Sequence, residues 1–409
     1  MKRKILYVSM CMPFDKAFHA GGKTFNYYIN SFANDERYEV TLVAKVLPEE
    51  EKMLPSINPQ IRYLSVATPR NGIRKTWAYM KSLNSKFNPC YKYGNTLTKE
   101  IYDQMEQKFK MLKREDYYPD VVILEWTSML LFIDTVKRYF PKACFIASEH
   151  DVSFLGRQRR YQNERRLIAK RIKKIAFDSL KKKELSAIDK CDLVVTHNEK
   201  DKQLLLKNGI NATKLDVIVP YFDKFPSTSR RSTYRDIIYY GAMNRIENST
   251  SAIWFINEVL PRLKDLAIRF IVIGNKPPKE LLEYAGGNVI VTGFVDDPSE
   301  YFAEAMCLVA PLLLGAGIKV KIIEALSSGV PVLTNSIGIE GIDAVDKRDY
   351  FHCETPEEYE GVIRGIITRK IDDSTISNNA INLINTSYDL EASYKNYAKR
   401  IDGLLGGEM

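Results

Sequence analysis

Residues 315–324 read Gly-Ala-Gly-Ile-Lys-Val-Lys-Ile-Ile-Glu. The glycines allow a turn at little steric cost. The apolar spacing that follows predicts a helix beginning near Ile318. A helix start presents free backbone N–H groups and the positive end of the helix dipole. Gly317 and Ile318 would supply such amides, and Lys319 and Lys321 add two cations. Together these suit a phosphate or diphosphate. Glu324 stands three residues after Lys321, on the same helical face. Phosphates would repel its carboxylate, so a neighbouring hydroxyl pair such as a ribose is the better partner. The competing reading is a surface Lys321–Glu324 pair worth under about 1 kcal/mol. A loop that follows a buried strand speaks against that.

Three other loops carry candidate residues. Gly21 and Gly22 separate the first apolar run from the first helical pattern, without the GxGxxG spacing of a dinucleotide site. They either admit an anion to a helix N-terminus or form a plain strand-to-helix turn. His150 closes "CFIASEH", at the carboxyl end of an expected buried strand. Glu149 and Asp151 flank it and could orient its ring, and an ordinary hydrogen-bonded loop histidine is the alternative. Gly241 ends "DIIYYG", and Arg245 follows just before a helix for which Asn248 or Ser249 is the expected cap. Arg245 would face the same anion or stand solvated.

The segment 157–184 holds twelve Lys or Arg against three acids, which alone matches the net charge of +9 of the whole chain. Tyr161, Ile168, Ile172, Ile175 and Leu180 form a helical stripe within it. One reading is a helix at an anionic membrane surface, joined by the basic and aromatic stretch 70–87. The other is a solvated helix whose stripe packs on its own domain.

The elements that must position these residues are legible. The chain has 409 residues, too many for one ordinary core. Fully apolar runs alternate with amphipathic segments, from "KILYVSM" through "LDVIVPY", and again from "DIIYYGAM" to "VPVLTN". Such alternation predicts parallel sheets covered on both faces. The expected fold class is therefore α/β, with two Rossmann-like doubly wound domains facing across a cleft. We place them at 1–221 and 236–388, separated by the polar stretch 222–235, with 389–409 as a closing helix that returns to the first domain. Open parallel sheets bind ligands beyond the carboxyl ends of their strands, where all four loops fall. No apolar run approaches the ~20 residues of a membrane span. The start "MKRKILYVSMCMPF" reads as a first strand rather than a signal peptide. Six scattered cysteines suggest buried free thiols in a reducing cytoplasm, with no zinc motif.

From "YYGAM" through "SIGIEGI", about 100 residues with several ordered landmarks, the sequence resembles the second domain of the group 1 glycosyltransferases, the retaining family 4 enzymes of GT-B fold. The first half is similar more loosely, through Gly21-Gly22, His150 and "DLVVTHNEKD". The resemblance implies transfer of a sugar from a nucleotide diphosphate-sugar to a saccharide or lipid-linked glycan, with retention at the anomeric carbon. It implies that Glu324 holds the ribose, that Gly317, Ile318 and Lys319 meet the donor sugar and diphosphate, and that Lys319 and Lys321 match the basic pair of one subgroup. His150 would lie near the donor sugar, and Gly21-Gly22 under the diphosphate. Many members carry a glutamate where this chain has Ala316, and a lysine near Glu247-Asn248. The leaving diphosphate would be stabilised by cations and amides, with no metal or other cofactor and no carboxylate nucleophile. Synthesis of bacterial cell-surface polysaccharide or glycoconjugate is the implied setting, in the cytoplasm or on the inner face of the cell membrane. A 2-epimerase or a nucleotide-sugar-binding accessory subunit of the same fold would also fit. A nucleic-acid binder would explain the charge but not the glycine loops or Glu324.

Overall fold

A computed structural model describes residues 2–15, 20–67, 88–94, 97–225, 235–315 and 317–406. The basic stretch 70–87, Ala316 and most of 222–235 lie outside the described residues. The chain divides into two compact units, one comprising Met1–Tyr221 and Leu390–Met409, the other Phe222–Asp389.

The first unit is built on seven parallel strands: β1 (Arg3–Ser9), β2 (Tyr38–Val46), β3 (Ile61–Ala67), β4 (Val121–Glu125), β5 (Cys144–Glu149), β6 (Leu193–Thr196) and β7 (Leu215–Val217). Their order is β3-β2-β1-β4-β5-β6-β7. The central runs in β1, β4, β5 and β6 are mostly apolar because both faces are covered. Ile5 and Tyr7 of β1 pack with Phe25, Ile29 and Phe32 of the helix Ala20–Asn34 and with Tyr397 and Ile401 of the helix Leu390–Leu404. Leu6 and Val8 point the other way, towards Ile101, Met105 and Phe109 of the helix Lys99–Arg114. The period of two in β1 thus feeds two separate cores. The helix Leu390–Leu404 is also held by polar contacts. Tyr38 Oη donates to Asp402 Oδ1 at 2.7 Å, and Tyr28 Oη lies 2.8 Å from Ser393 Oγ.

The second unit has six parallel strands: β8 (Asp236–Tyr240), β9 (Arg269–Ile273), β10 (Val289–Gly293), β11 (Cys307–Ala310), β12 (Val332–Thr334) and β13 (Phe351–His352). Their order is β10-β9-β8-β11-β12-β13. The two-residue β13 was not expected from sequence, because so short a run has no periodicity to read. In both sheets the winding reverses at the centre, between β1 and β4 and between β8 and β11. Ligands of doubly wound sheets bind at such a reversal, beyond the carboxyl ends of its strands.

Cys191, Cys307 and Cys353 are buried, but Cys90 is exposed, so the expectation of uniformly buried thiols fails there. Among the described residues no helix is long and apolar enough to cross a membrane, and no group of three or more His, Cys, Asp or Glu side chains is placed to hold a metal ion.

Candidate functional site

In the first unit the loops after β1, β4, β5 and β6 bring one cluster together. A Cβ on Gly21 would lie 3.3 Å from both His150 Nδ1 and Trp126 Nε1. Glycine at 21 is what lets the start of the first helix approach those rings. Trp126 stacks on His150 at 4.3 Å between centroids. Its backbone φ is +66°, a left-handed conformation that costs a tryptophan about 1–3 kcal/mol. Strain of this size persists where the surroundings over-determine a side chain's position.

The histidine ring is oriented by residues other than those expected. Glu149 accepts a hydrogen bond from Thr127 Oγ1 at 2.7 Å. It is Glu125 Oε2 that meets His150 Nε2, at 2.8 Å. His150 Nδ1 lies 3.1 Å from His197 Nε2, and His197 Nδ1 lies 3.2 Å from the Ile218 carbonyl oxygen. A carbonyl only accepts, so His197 carries its proton on Nδ1. Burial and then the neighbouring His150 hold its pKa down to about 3, so its Nε2 is bare and accepts from His150 Nδ1–H. That leaves one proton between His150 Nε2 and Glu125, whose own pKa burial pushes up to about 7. Register could have revealed this pairing. β5 and β6 align Glu149 with Thr196, so the next residues, His150 and His197, emerge side by side.

Beneath the loop that follows His150 sits a pair of buried glutamates. Glu184 accepts from the backbone N–H of Ser153 at 2.8 Å and of Phe154 at 2.9 Å, and lies 3.5 Å from Thr127 Oγ1. Burial raises its pKa to about 8, and burial with the nearby Glu184 charge raises that of Glu149. The folded protein therefore keeps protons here that the unfolded chain releases. Stability should fall as pH rises from the ordinary glutamate range to about 8. In Glu184→Gln one of these protons is no longer titrated. Urea unfolding midpoints between about pH 5 and pH 8 should decline less steeply in the variant than in the wild type. Parallel declines would rule out Glu184 as a source.

In the second unit the helix begins at Val320, two residues later than the sequence suggested, with Lys319 at its N-terminal boundary. Gly315 and Gly317 have φ of +140° and +71°. Lys319 folds back over this turn, and its ammonium donates to the Gly317 carbonyl oxygen. It also lies 3.8 Å from Glu340 Oε2. Both side chains of this pair are largely shielded. Glu340, from the loop after β12, had no sequence signal, because its approach depends on strands β11 and β12 pairing.

Lys321 is not an exposed point charge. It is half-buried, with Nζ 2.9 Å from Asn248 Oδ1 and 3.2 Å from Tyr239 Oη, and 4.6 Å from the centre of the Tyr239 ring. Burial, then the charge of Lys319, lowers its pKa to about 7. A Cβ on Gly241 would lie 3.0 Å from Asn248 Nδ2, so Gly241, Asn248 and Lys321 form one packed group. Arg245, not Asn248 or Ser249, occupies the cap position of the helix Ile246–Glu258. Its guanidinium is bound to Glu247, with Nε 2.8 Å from Oε1, so its charge is already matched locally. Asn248 instead donates to the Ala242 carbonyl oxygen at 2.9 Å. Glu324 is buried on the helix Val320–Ser328, and its Oε1 accepts from the backbone N–H of Asp223 at 3.3 Å. Gly317, Lys319 and Lys321 thus follow β11 and Gly241 follows β8, flanking the central reversal of the sheet.

These two clusters sit on the fold of the GT-B glycosyltransferases. Residues 234–368 match the family described as Glycosyl transferases group 1. A relative from Klebsiella pneumoniae, an uncharacterized 44.6 kDa protein in the cps region, is 27% identical over 180 residues, which are 41% of this chain and 44% of that protein. The chain therefore spans less than half the length of this curated relative. Sucrose-phosphate synthase from Thermosynechococcus elongatus has a similar structure, with a TM-score of 0.72 at 13% identity over 99% of this chain and 100% of that one. Anabaena HepE, solved in complex with UDP-glucose, gives a TM-score of 0.67 at 12% identity, covering 98% of this chain and 99% of its own.

Proposed function

We propose that the protein is a retaining glycosyltransferase. It moves a sugar, of the hexosyl type, from a nucleoside diphosphate-sugar to a saccharide or lipid-linked glycan during cell-surface polysaccharide synthesis. One observation carries this: a glycine turn, a lysine folded over it and a buried glutamate stand together on one helix start at the reversal of the second sheet. Amides and Lys319 suit the diphosphate whose negative charge grows as it leaves. Lys321, whose pKa is lowered by its surroundings, would hold its proton more firmly beside a diphosphate. Glu324 suits the ribose hydroxyls. The leaving diphosphate is stabilised in this account by the protein's own cations and amides. In the first unit His150, fixed at both ring nitrogens, contributes a positioned ring rather than a free base. The cps-region relative supports the polysaccharide setting, and the UDP-glucose complex of HepE supports a nucleotide-sugar donor.

Thermal shift against a panel of UDP-, GDP-, ADP- and dTDP-sugars tests the reading. One sugar nucleotide should raise the melting temperature by several degrees at a concentration about 100 times its Kd. Anomeric proton signals of the product should then show retention. No shift with any member, or release of an epimerised nucleotide-sugar in place of transfer, would overturn it.

A further inference from the structure

The basic segment is not used by the reaction above, and its structure separates the two readings of its apolar stripe. The helix Leu167–Asp189 is anchored by Leu180, Glu184, Ala187 and Ile188, all buried in the first unit. Leu180 therefore leaves the expected stripe, and so does Tyr161, whose ring stacks with Phe177. The other members stay outside. Ile168 is 80% exposed, Ile172 53% and Ile175 44%, and the adjoining Leu167 is 86% exposed. Steps of four and three residues put the three isoleucines on one helical face, turned away from the buried residues near the helix end. Single exposed aliphatics need no explanation, but three on one helical face with a fourth beside them do.

Its charge surroundings are one-sided. Arg165, Arg166, Lys170, Arg171 and Lys174 lie around the isoleucines in sequence. Of these five cations only Lys174 is matched by an acid of the segment. Glu164 lies 2.5 Å from Lys173 Nζ, Asp178 lies 2.7 Å from Lys174 Nζ, and Glu184 is buried. A nucleic acid would use the cations but has nothing to place against branched aliphatic side chains, which do not stack on bases. A bilayer with anionic headgroups uses both. Aliphatic side chains enter the acyl boundary while Lys and Arg stems reach back to the phosphates.

We propose that this face of the helix Leu167–Asp189 docks the protein on an anionic lipid bilayer, with Leu167, Ile168, Ile172 and Ile175 inserted and the surrounding cations on the headgroups. The docking is independent of sugar transfer, so it is measured with no substrate present. Full-length protein is sedimented with phosphatidylcholine vesicles and with vesicles containing about 30% phosphatidylglycerol. Binding should appear only with phosphatidylglycerol and should weaken strongly in 1 M salt, where the Debye length is about 3 Å. Ile168→Asp with Ile172→Asp should weaken partitioning at least about tenfold, as should Arg171→Glu with Lys174→Glu. All four positions are surface-exposed or half-exposed, so circular dichroism and nucleotide-sugar thermal shift should match wild type. Three results would overturn the proposal. One is no binding to anionic vesicles. Another is binding unaffected by the isoleucine variants. The third is a wild-type dimer in light scattering that these variants dissolve, which would make a second copy the occupant.

Discussion

Lys319→Ala should slow sugar transfer by about 100-fold or more, in the range found when one preorganised donor to developing negative charge is removed. The ammonium sits on the Gly317 carbonyl, within the turn whose amides are proposed to meet the diphosphate. The same substitution removes the cation 3.8 Å from the shielded Glu340 carboxylate. Part of any loss could therefore arise from a disturbed loop, since deleting one member of a shielded ion pair costs more than the pair contributes. Combining Lys319→Ala with Glu340→Gln separates the effects. The double variant should recover unfolding stability but not turnover. Recovery of both would reduce Lys319 to a structural role. Glu324→Ala should act differently. Losing the proposed charged acceptor for the ribose should weaken nucleotide binding by about 1.5–3 kcal/mol, read as a rise in donor KM. Wild-type kinetics in both single variants would remove the proposed site altogether.

Gly274→Ala should cost the second unit about 3 kcal/mol or more of stability, the sum of two penalties. Gly274 has φ of +155°, which no other residue adopts easily, and an added Cβ would overlap the carbonyl oxygen of Gly241. The overlap is with backbone, so no side chain can swing aside. The two loops are already tied together: Gly241 N–H donates to Ile273 O at 3.0 Å, and Met243 N–H to Asn275 O at 3.1 Å. Pushing Gly241 away would also move Asn248 and Lys321, which pack behind it. Gly286 provides the control. Its φ is +139°, yet nothing lies within 4 Å of an added Cβ. Gly286→Ala therefore carries only the backbone penalty, about 1–3 kcal/mol. Equal losses in the two variants, measured by urea unfolding, would show that the Gly241–Gly274 approach does not matter.

Twelve strands were legible because a parallel strand covered on both faces is a mostly apolar run. Their order was not, since pairing is a long-range property. Without it the first-unit cluster stayed hidden. Glu125, His150 and His197 each stand at or just beyond a strand end, in "VILEW", "ASEH" and "VVTHN", but only the β4-β5-β6 alignment makes them neighbours. Trp126 had no signal, because its role depends on a left-handed backbone. In the second unit the glycine turn and the helix that carries Glu324 were readable from residue types. The fate of Lys321 was not readable: it depends on Tyr239 and Asn248, which come near it only once β8 and β11 pair.

The helix Leu390–Leu404 packs on β1 and the first helix, although the entire second unit intervenes in the chain. On the ribosome this sets an order of events. Residues 222–389 form a contiguous piece that can fold as soon as it emerges. The first unit, begun earlier, must wait with Ile5, Tyr7, Phe32 and Tyr38 incompletely covered until the last helix has been made. The nascent first unit is therefore the longer-lived client for chaperones. A premature stop near residue 389 would spare the later-synthesised unit and cripple the one made first.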